Sequence, residues 1–80
     1  MQFKVSYYDE FYEDFLRYKS FDTLEAAQAE VSRMISPPKK YIGVTGDVIQ
    51  WLIQWTDELD RYHEIRYDLT LDGWEMEQEC

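Results

Sequence analysis

Hydrophobic and polar residues alternate from the beginning of the chain. In QFKVSYY, Phe3, Val5 and Tyr7 are separated by polar residues, and a period of two is typical of a half-buried strand. The segment FLRYKSF repeats the pattern, with Leu16 and Tyr18 on one side and Arg17 and Lys19 on the other. The two segments therefore predict a hairpin, and the acid-rich segment between them predicts its connection.

The segment FDTLEAAQAEVSRMI changes to a helical period. Asp22 is placed to cap the helix, and Glu25 three residues later completes a capping box. The pair Pro37-Pro38 ends the helix, since proline cannot continue it. Only one side of the helix is apolar, so we expect it to lie on a sheet. The apolar stripe consists of Leu24, Ala27, Val31 and Met34.

The segment DVIQWLIQWT fits two structures. Ile49, Trp51 and Ile53 alternate with other residues, as a strand requires. Helical spacing is also satisfied, and Gly46-Asp47 is a plausible helix start. The β-branched and aromatic content favours the strand. The residues that would form the helical stripe are Val48, Trp51, Leu52, Trp55 and Leu59.

Two further strands are predicted near the end of the chain. RYHEIRYDLTL alternates, and Asp72-Gly73 is a strong signal for a hairpin turn. WEMEQE then forms a short last strand, with Glu75, Glu77 and Glu79 on one face. The residues of the longer strand that we expect to face inward are His63, Ile65, Tyr67, Leu69 and Leu71.

Together these elements predict one α+β domain over residues 1–80. We expect a four- to five-stranded antiparallel sheet with one helix on one face, in the order ββαβββ. One helix covers only part of such a sheet, and a homodimer would hide the apolar residues left on the other face. The residues predicted on that uncovered face are Tyr8, Phe15, Leu52 and Tyr62.

Charge narrows the choice of partners. The chain has 17 acids and 8 bases, a net charge of -9. Residues 41–80 carry ten of those acids and only two of the bases. Such a field repels nucleic acid and anionic membranes and attracts basic protein surfaces, although acidity also serves solubility alone. With no apolar span, no signal-peptide core and a single cysteine, Cys80, the expected compartment is the cytosol.

No catalytic or metal-binding motif stands out. His63 is the only histidine and fits a hydrogen-bonded core or rim residue better than a catalytic base for Cys80. The carboxylates lack the spacing of an EF-hand, no cysteine and histidine cluster suggests zinc, and GVTGD lacks the lysine of a phosphate loop. Loose carboxylate clusters leave weak calcium binding open. We expect a binding protein without a cofactor rather than an enzyme.

Two groups of residues, acids together with two aromatic residues, are the candidate binding residues. The segment YYDEFYEDF places carboxylates beside aromatic rings at the predicted hairpin tip, a usual layout for an interface. A second group in the C-terminal half carries most of the net charge. Rows of acids on a strand can imitate a phosphate backbone towards DNA-binding lysines and arginines. The first group is Asp9, Glu10, Phe11, Tyr12, Glu13 and Asp14; the second is Asp57, Glu58, Asp60, Asp72, Glu75 and Glu77.

The chain is short and acidic, and two predicted strands are followed by the helix segment SFDTLEAAQAEVSRM and further strands. In these respects it resembles the small phage-encoded anti-CRISPR proteins. The resemblance is closest to those that act on type I Cascade complexes, type I-C among them. It implies a stoichiometric inhibitor in the host cytosol that binds Cascade subunits and keeps target DNA out. Two other classes stay open: an inhibitor or antitoxin of another basic DNA-acting protein, and a small phage adaptor or structural protein.

Overall fold

The computed structural model describes residues 1–35, 48–71 and 73–79. It confirms the predicted α+β fold: a five-stranded antiparallel sheet with one helix, in the order ββαβββ. Pro37-Pro38, Gly46-Asp47, Asp72 and Cys80 lie outside the described residues. The elements are β1 (Phe3–Asp9), β2 (Asp14–Phe21), α1 (Leu24–Ile35), β3 (Val48–Thr56), β4 (Tyr62–Thr70) and β5 (Gly73–Glu79).

The strand order across the sheet is β2-β1-β3-β4-β5, so the two edges are β2 and β5. Residues 48–56 form a strand, as their β-branched and aromatic content favours, and the helical alternative is wrong. Trp51, Ile53 and Val5 are fully buried on the face that packs with Val31 of α1. The fully buried side chains of β3 show why this segment takes the centre of the sheet.

Helix α1 begins one residue later than the predicted cap implies. The Thr23 hydroxyl accepts the N–H of Ala26 at 3.1 Å, and the Thr23 carbonyl accepts the N–H of Ala27 at 3.3 Å. Thr23 rather than Asp22 is therefore the capping residue, because its side chain reaches the free N–H of the first turn. The predicted stripe is confirmed at Ala27 and Val31, both fully buried, and at Met34.

A polar contact ties α1 to the edge strand β2. The Tyr18 hydroxyl donates to Glu30 at 2.5 Å, and Arg33 donates to the same carboxylate at 2.7 Å. The hydrogen bond from Arg33 is the largest cause that lowers the pKa of Glu30, and the bond from Tyr18 is the next. The same bond to Glu30 raises the pKa of Tyr18.

A bulge beside Tyr18 places Lys19 opposite the core residue Val5, so the expected strict alternation of β2 is broken there.

The helix packs mainly on β1, β2 and β3. Ile65 and Tyr67 of β4 are buried as predicted. Leu69 lies on the same face as Ile65 and Tyr67 but is 47% exposed, because α1 covers only part of the five-stranded sheet. Leu71 was also predicted to face inward, but it lies beyond the end of β4 and is 107% exposed. No helix among the described residues is long and apolar enough to cross a membrane.

Candidate partner-binding surfaces

The turn between β1 and β2 is organised by Asp9. Its side chain is 1% exposed, and its Oδ1 accepts the N–H of Phe11 at 2.8 Å. Its carbonyl accepts the N–H of Glu13 at 2.8 Å, and Glu13 has a φ of 56°. The prediction that Asp9 is exposed at the hairpin tip is wrong, because an aspartate at the start of a turn satisfies backbone donors. Asp9 shapes the loop instead of facing a partner.

The other five predicted residues of this group are on the surface. Phe11 is 69% exposed and Tyr12 is 59% exposed, and their rings meet edge to face with centroids 5.0 Å apart. Glu10, Glu13 and Asp14 are exposed around them. We call residues 10–14 the aromatic tip. The two rings form one exposed aromatic contact, and they lie among carboxylates that attract basic surfaces.

The turn between β3 and β4 is organised by Asp57 in a similar way. Its Oδ1 accepts the N–H groups of Leu59 at 2.8 Å and of Arg61 at 3.0 Å. Its Oδ2 lies 2.8 Å from His63 Nε2 and accepts Arg61 Nε at 3.0 Å. These bonds, with that to His63 the largest, hold the pKa of Asp57 far below its ordinary value of 3.8. The carboxylate is already fully engaged within the chain.

Asp57 is thus a poor candidate for partner binding, and reversing its charge would disturb the turn. Asp60 in the same turn has a φ of 61° and donates its N–H to the Asp57 carbonyl at 3.1 Å. We therefore expect charge reversal at Asp57 or Asp60 to have a structural cost. Glu58 remains exposed and is free of these contacts.

His63 is a rim residue, as predicted. Its side chain is 17% exposed, and its ring stacks on Trp55 with centroids 5.1 Å apart and planes 10° from parallel. Its Nε2 faces Asp57, so the ring links the β3–β4 turn to the core. Within the described ranges, no three histidine, cysteine or carboxylate side chains come close enough to hold a metal ion.

The sheet face opposite α1, here called the open face, carries three rows that run across all five strands. The outer rows begin at Phe15 and Ser20 on β2, and the middle row begins at Arg17. The open face comprises Lys4, Ser6, Tyr8, Phe15, Arg17, Ser20, Gln50, Leu52, Gln54, Tyr62, Glu64, Arg66, Asp68, Glu75 and Glu77. All four residues predicted on the uncovered face lie here.

Acids on the open face are partly neutralised within the chain. Arg66 pairs with Glu77 at 2.8 Å, with Asp68 at 3.5 Å and with Glu64 at 4.0 Å. The Thr70 hydroxyl lies 3.2 Å from a Glu75 oxygen. A basic partner would compete with Arg66 for these carboxylates. They are therefore weaker candidates for direct contact than the acids of the aromatic tip.

The second predicted group does not form one cluster. Glu58 and Asp60 lie at the turn end where Thr56 pairs with Tyr62, whereas Glu75 and Glu77 lie on the open face. The aromatic tip is at the opposite end of the sheet from Glu58, because Asp9 pairs with Val48 at the start of β3. Only the first predicted group is brought together, and Asp72 lies outside the described residues.

The turn aspartates were missed as structural residues, although their signal is in the sequence. Both turns read Asp-Glu followed by an exposed apolar residue, in DEF and in DEL. An aspartate that opens a hairpin turn and is followed by other acids is more useful to the backbone than to a partner.

Comparison of the chain with protein families, with curated proteins and with solved structures finds no match.

Proposed function

We propose that this protein is a stoichiometric inhibitor that binds a basic, DNA-contacting protein surface through its aromatic tip. The target that the resemblance implies is the type I Cascade complex. One observation carries the proposal: Phe11 and Tyr12 are exposed side by side, with Glu10, Glu13 and Asp14 around them. It supports the proposal because exposed rings and exposed acids, the two parts of the predicted interface, lie together in one turn.

The tip is preorganised for binding. Asp9 fixes the loop from within, and the Asp14 carboxylate accepts the N–H of Phe15 at 2.8 Å. A loop already held in shape loses less conformational entropy when it binds. Aromatic anchors in the centre of an interface dominate its energy, while charges at the rim govern the association rate. The rings would therefore set the residence time, and the acids would guide encounter.

The whole-chain charge supports a target that normally binds DNA. The lysines and arginines of such a target normally neutralise DNA phosphates. In the proposed complex they would bind a chain with a net charge of -9 instead. Glu58, Asp60, Glu75 and Glu77 contribute to this field from other parts of the surface. The same reasoning applies to an inhibitor or antitoxin of another basic DNA-acting protein, which would use the same tip.

The test uses purified Cascade and its labelled target DNA. We expect the wild-type protein to block DNA binding at a near-equimolar ratio and to bind no DNA itself. Glu10→Lys should require at least about 10-fold more protein, since a rim charge changes the association rate. Glu58→Lys is the matched control, because it follows a turn aspartate in the same way and changes the net charge equally.

If Glu58→Lys is as impaired as Glu10→Lys, net charge rather than the tip is responsible. If the wild-type protein leaves DNA binding by Cascade unchanged, Cascade is not the target. Capture of partners from phage-infected lysate with wild type and Glu10→Lys then tests the other basic DNA-acting proteins.

A further inference from the structure

The open face is divided by charge. Its β1 and β2 side carries Lys4 and Arg17 and no carboxylate. Its β4 and β5 side carries Arg66 and the carboxylates of Glu64, Asp68, Glu75 and Glu77, and β3 between the two sides is neutral. Among the described residues, neither Lys4 nor Arg17 takes part in an ion pair. A face with one basic side and one acidic side is complementary to itself.

We propose that the open face binds the open face of a second copy of this chain. The two-fold axis would lie between the copies and run parallel to β3. Rotation about that axis brings the basic β2 side of one copy over the acidic β5 side of the other. A two-fold axis across the strands would instead place like charges over each other, which is unfavourable. Charge therefore selects one of the two symmetric arrangements.

The middle row fixes the contacts. It runs through Arg17, Ser6, Leu52, Arg66 and Glu77. When the row faces its own reverse, Arg17 meets Glu77 of the second copy on either side of Leu52, which is itself only 7% exposed. The Glu77 side chain is 58% exposed, so it has room for a second cation besides Arg66. In the next row, Lys4 of one copy comes opposite Glu64 of the other.

Apolar area adds to this charge match. Phe15 is 45% exposed and stacks edge to face on Tyr8 with centroids 5.1 Å apart, and Tyr62 is 52% exposed. Five strands spaced about 4.8 Å apart give a face that buries on the order of 1,000 Å² in total when paired. That is the low end for a specific interface, so we expect a dimer that dissociates in the micromolar range.

The arrangement has a consequence for the aromatic tip. Rotation about an axis along the strands keeps each strand end at the same end of the dimer. Both tips would therefore lie at one end, roughly 17 Å apart, from three strand spacings and the usual distance between packed sheets. This geometry follows from the open face alone and is independent of what the tip binds.

The experiment is sedimentation equilibrium from micromolar to about millimolar protein in about 0.15 M salt, which screens the distant charges of two acidic chains. We expect the wild-type mass to rise from 9.8 kDa to twice that value. Arg17→Glu and Glu77→Arg should each weaken the dimer at least about 10-fold, since each places like charges together. An equimolar mixture of the two variants should restore it, because the changed positions then face each other and the native pair is kept.

Lys19→Glu is the control, since the same charge change on β2 falls opposite the core residue Val5 rather than on the open face. Circular dichroism checks that each variant folds. A wild-type mass of 9.8 kDa at the highest concentration overturns the proposal and leaves the face to another partner. The proposal is also overturned if the Arg17→Glu variant dimerises as strongly as the Lys19→Glu variant. A mixture that stays monomeric overturns the proposed pairing.

Discussion

The turns at opposite ends of the sheet use aspartate in the same way and present different surfaces. Asp9 and Asp57 each accept the N–H two residues later at 2.8 Å. The residues that donate, Phe11 and Leu59, are 69% and 71% exposed. In the β1–β2 turn a second ring and further acids surround the exposed residue, whereas in the β3–β4 turn Arg61 and His63 hold the aspartate inside the chain.

The comparison separates two uses of acidic residues that look alike in the sequence. A carboxylate at the first position of a turn serves the backbone, and the one after it points outward. Glu10 and Glu58 therefore occupy equivalent positions, and so do Phe11 and Leu59. This equivalence gives variants at Glu10 and Phe11 matched controls at Glu58 and Leu59.

The largest effect on stability is expected for Asp9→Ala. The change removes a buried acceptor and leaves the Phe11 N–H without its partner. We expect the free energy of unfolding to fall by about 1.5–3 kcal/mol, with a decrease of roughly 10 °C in the melting temperature. Glu10→Ala, one residue later and exposed, should stay within about 0.5 kcal/mol of wild type. Equal losses in thermal unfolding would contradict the division between the two positions.

A pH dependence is expected for the β3–β4 turn. The pKa of Asp57 is lower in the folded chain than its ordinary value of 3.8. Its contribution to stability is therefore complete above pH 3.8 and is lost as the pH falls towards the folded-state pKa. Asp57→Asn keeps the turn acceptor but loses the charge facing His63 and Arg61. It should be less stable than wild type at neutral pH, and the difference should shrink in strong acid.

Urea unfolding of both proteins at neutral pH and at about pH 3 measures this difference. A gap between wild type and Asp57→Asn that stays constant with pH would show that the charge of Asp57 contributes nothing. Glu30 also has a lowered pKa, and it is unchanged in both proteins, so it affects both curves equally.

The smallest effect concerns the left-handed residues of the two turns. Glu13 has a φ of 56° and Asp60 a φ of 61°. Glycine adopts this region without a steric penalty, and aspartate tolerates it better than glutamate does. We expect Glu13→Gly to raise the free energy of unfolding by up to about 1 kcal/mol and Asp60→Gly to change it less. The reverse order in chemical denaturation would argue against this account of the turns.

Much of the fold follows from local patterns. Alternation in β1 and β4 and the helical stripe from Ala27 to Met34 each identify an element, because side-chain period reports which face is buried. The errors arise where a single residue serves the backbone. The cap at Thr23 rather than Asp22 and the burial of Asp9 depend on one hydrogen bond each, which periodicity does not encode.

The hydrophobic pattern also does not predict which part of the sheet the helix covers or which acids come together in space. Leu69 alternates as predicted but is exposed, since α1 packs mainly on β1, β2 and β3 rather than on β4. The acids of the C-terminal half are near one another in the chain, yet strand order sends Glu58 and Glu75 to different surfaces. The aromatic tip was predictable because all its residues belong to one short turn.

The proposed function requires that the aromatic tip makes the contact with the partner. The most direct measurement is the affinity of immobilised Cascade, the proposed target, for wild type, Phe11→Ser and Leu59→Ser. These two serine variants remove equally exposed side chains from equivalent turn positions. We predict that Phe11→Ser weakens binding by about 30-fold or more, as loss of an aromatic anchor does, and that Leu59→Ser stays within about twofold of wild type. Equal affinities for the two variants would contradict the claim.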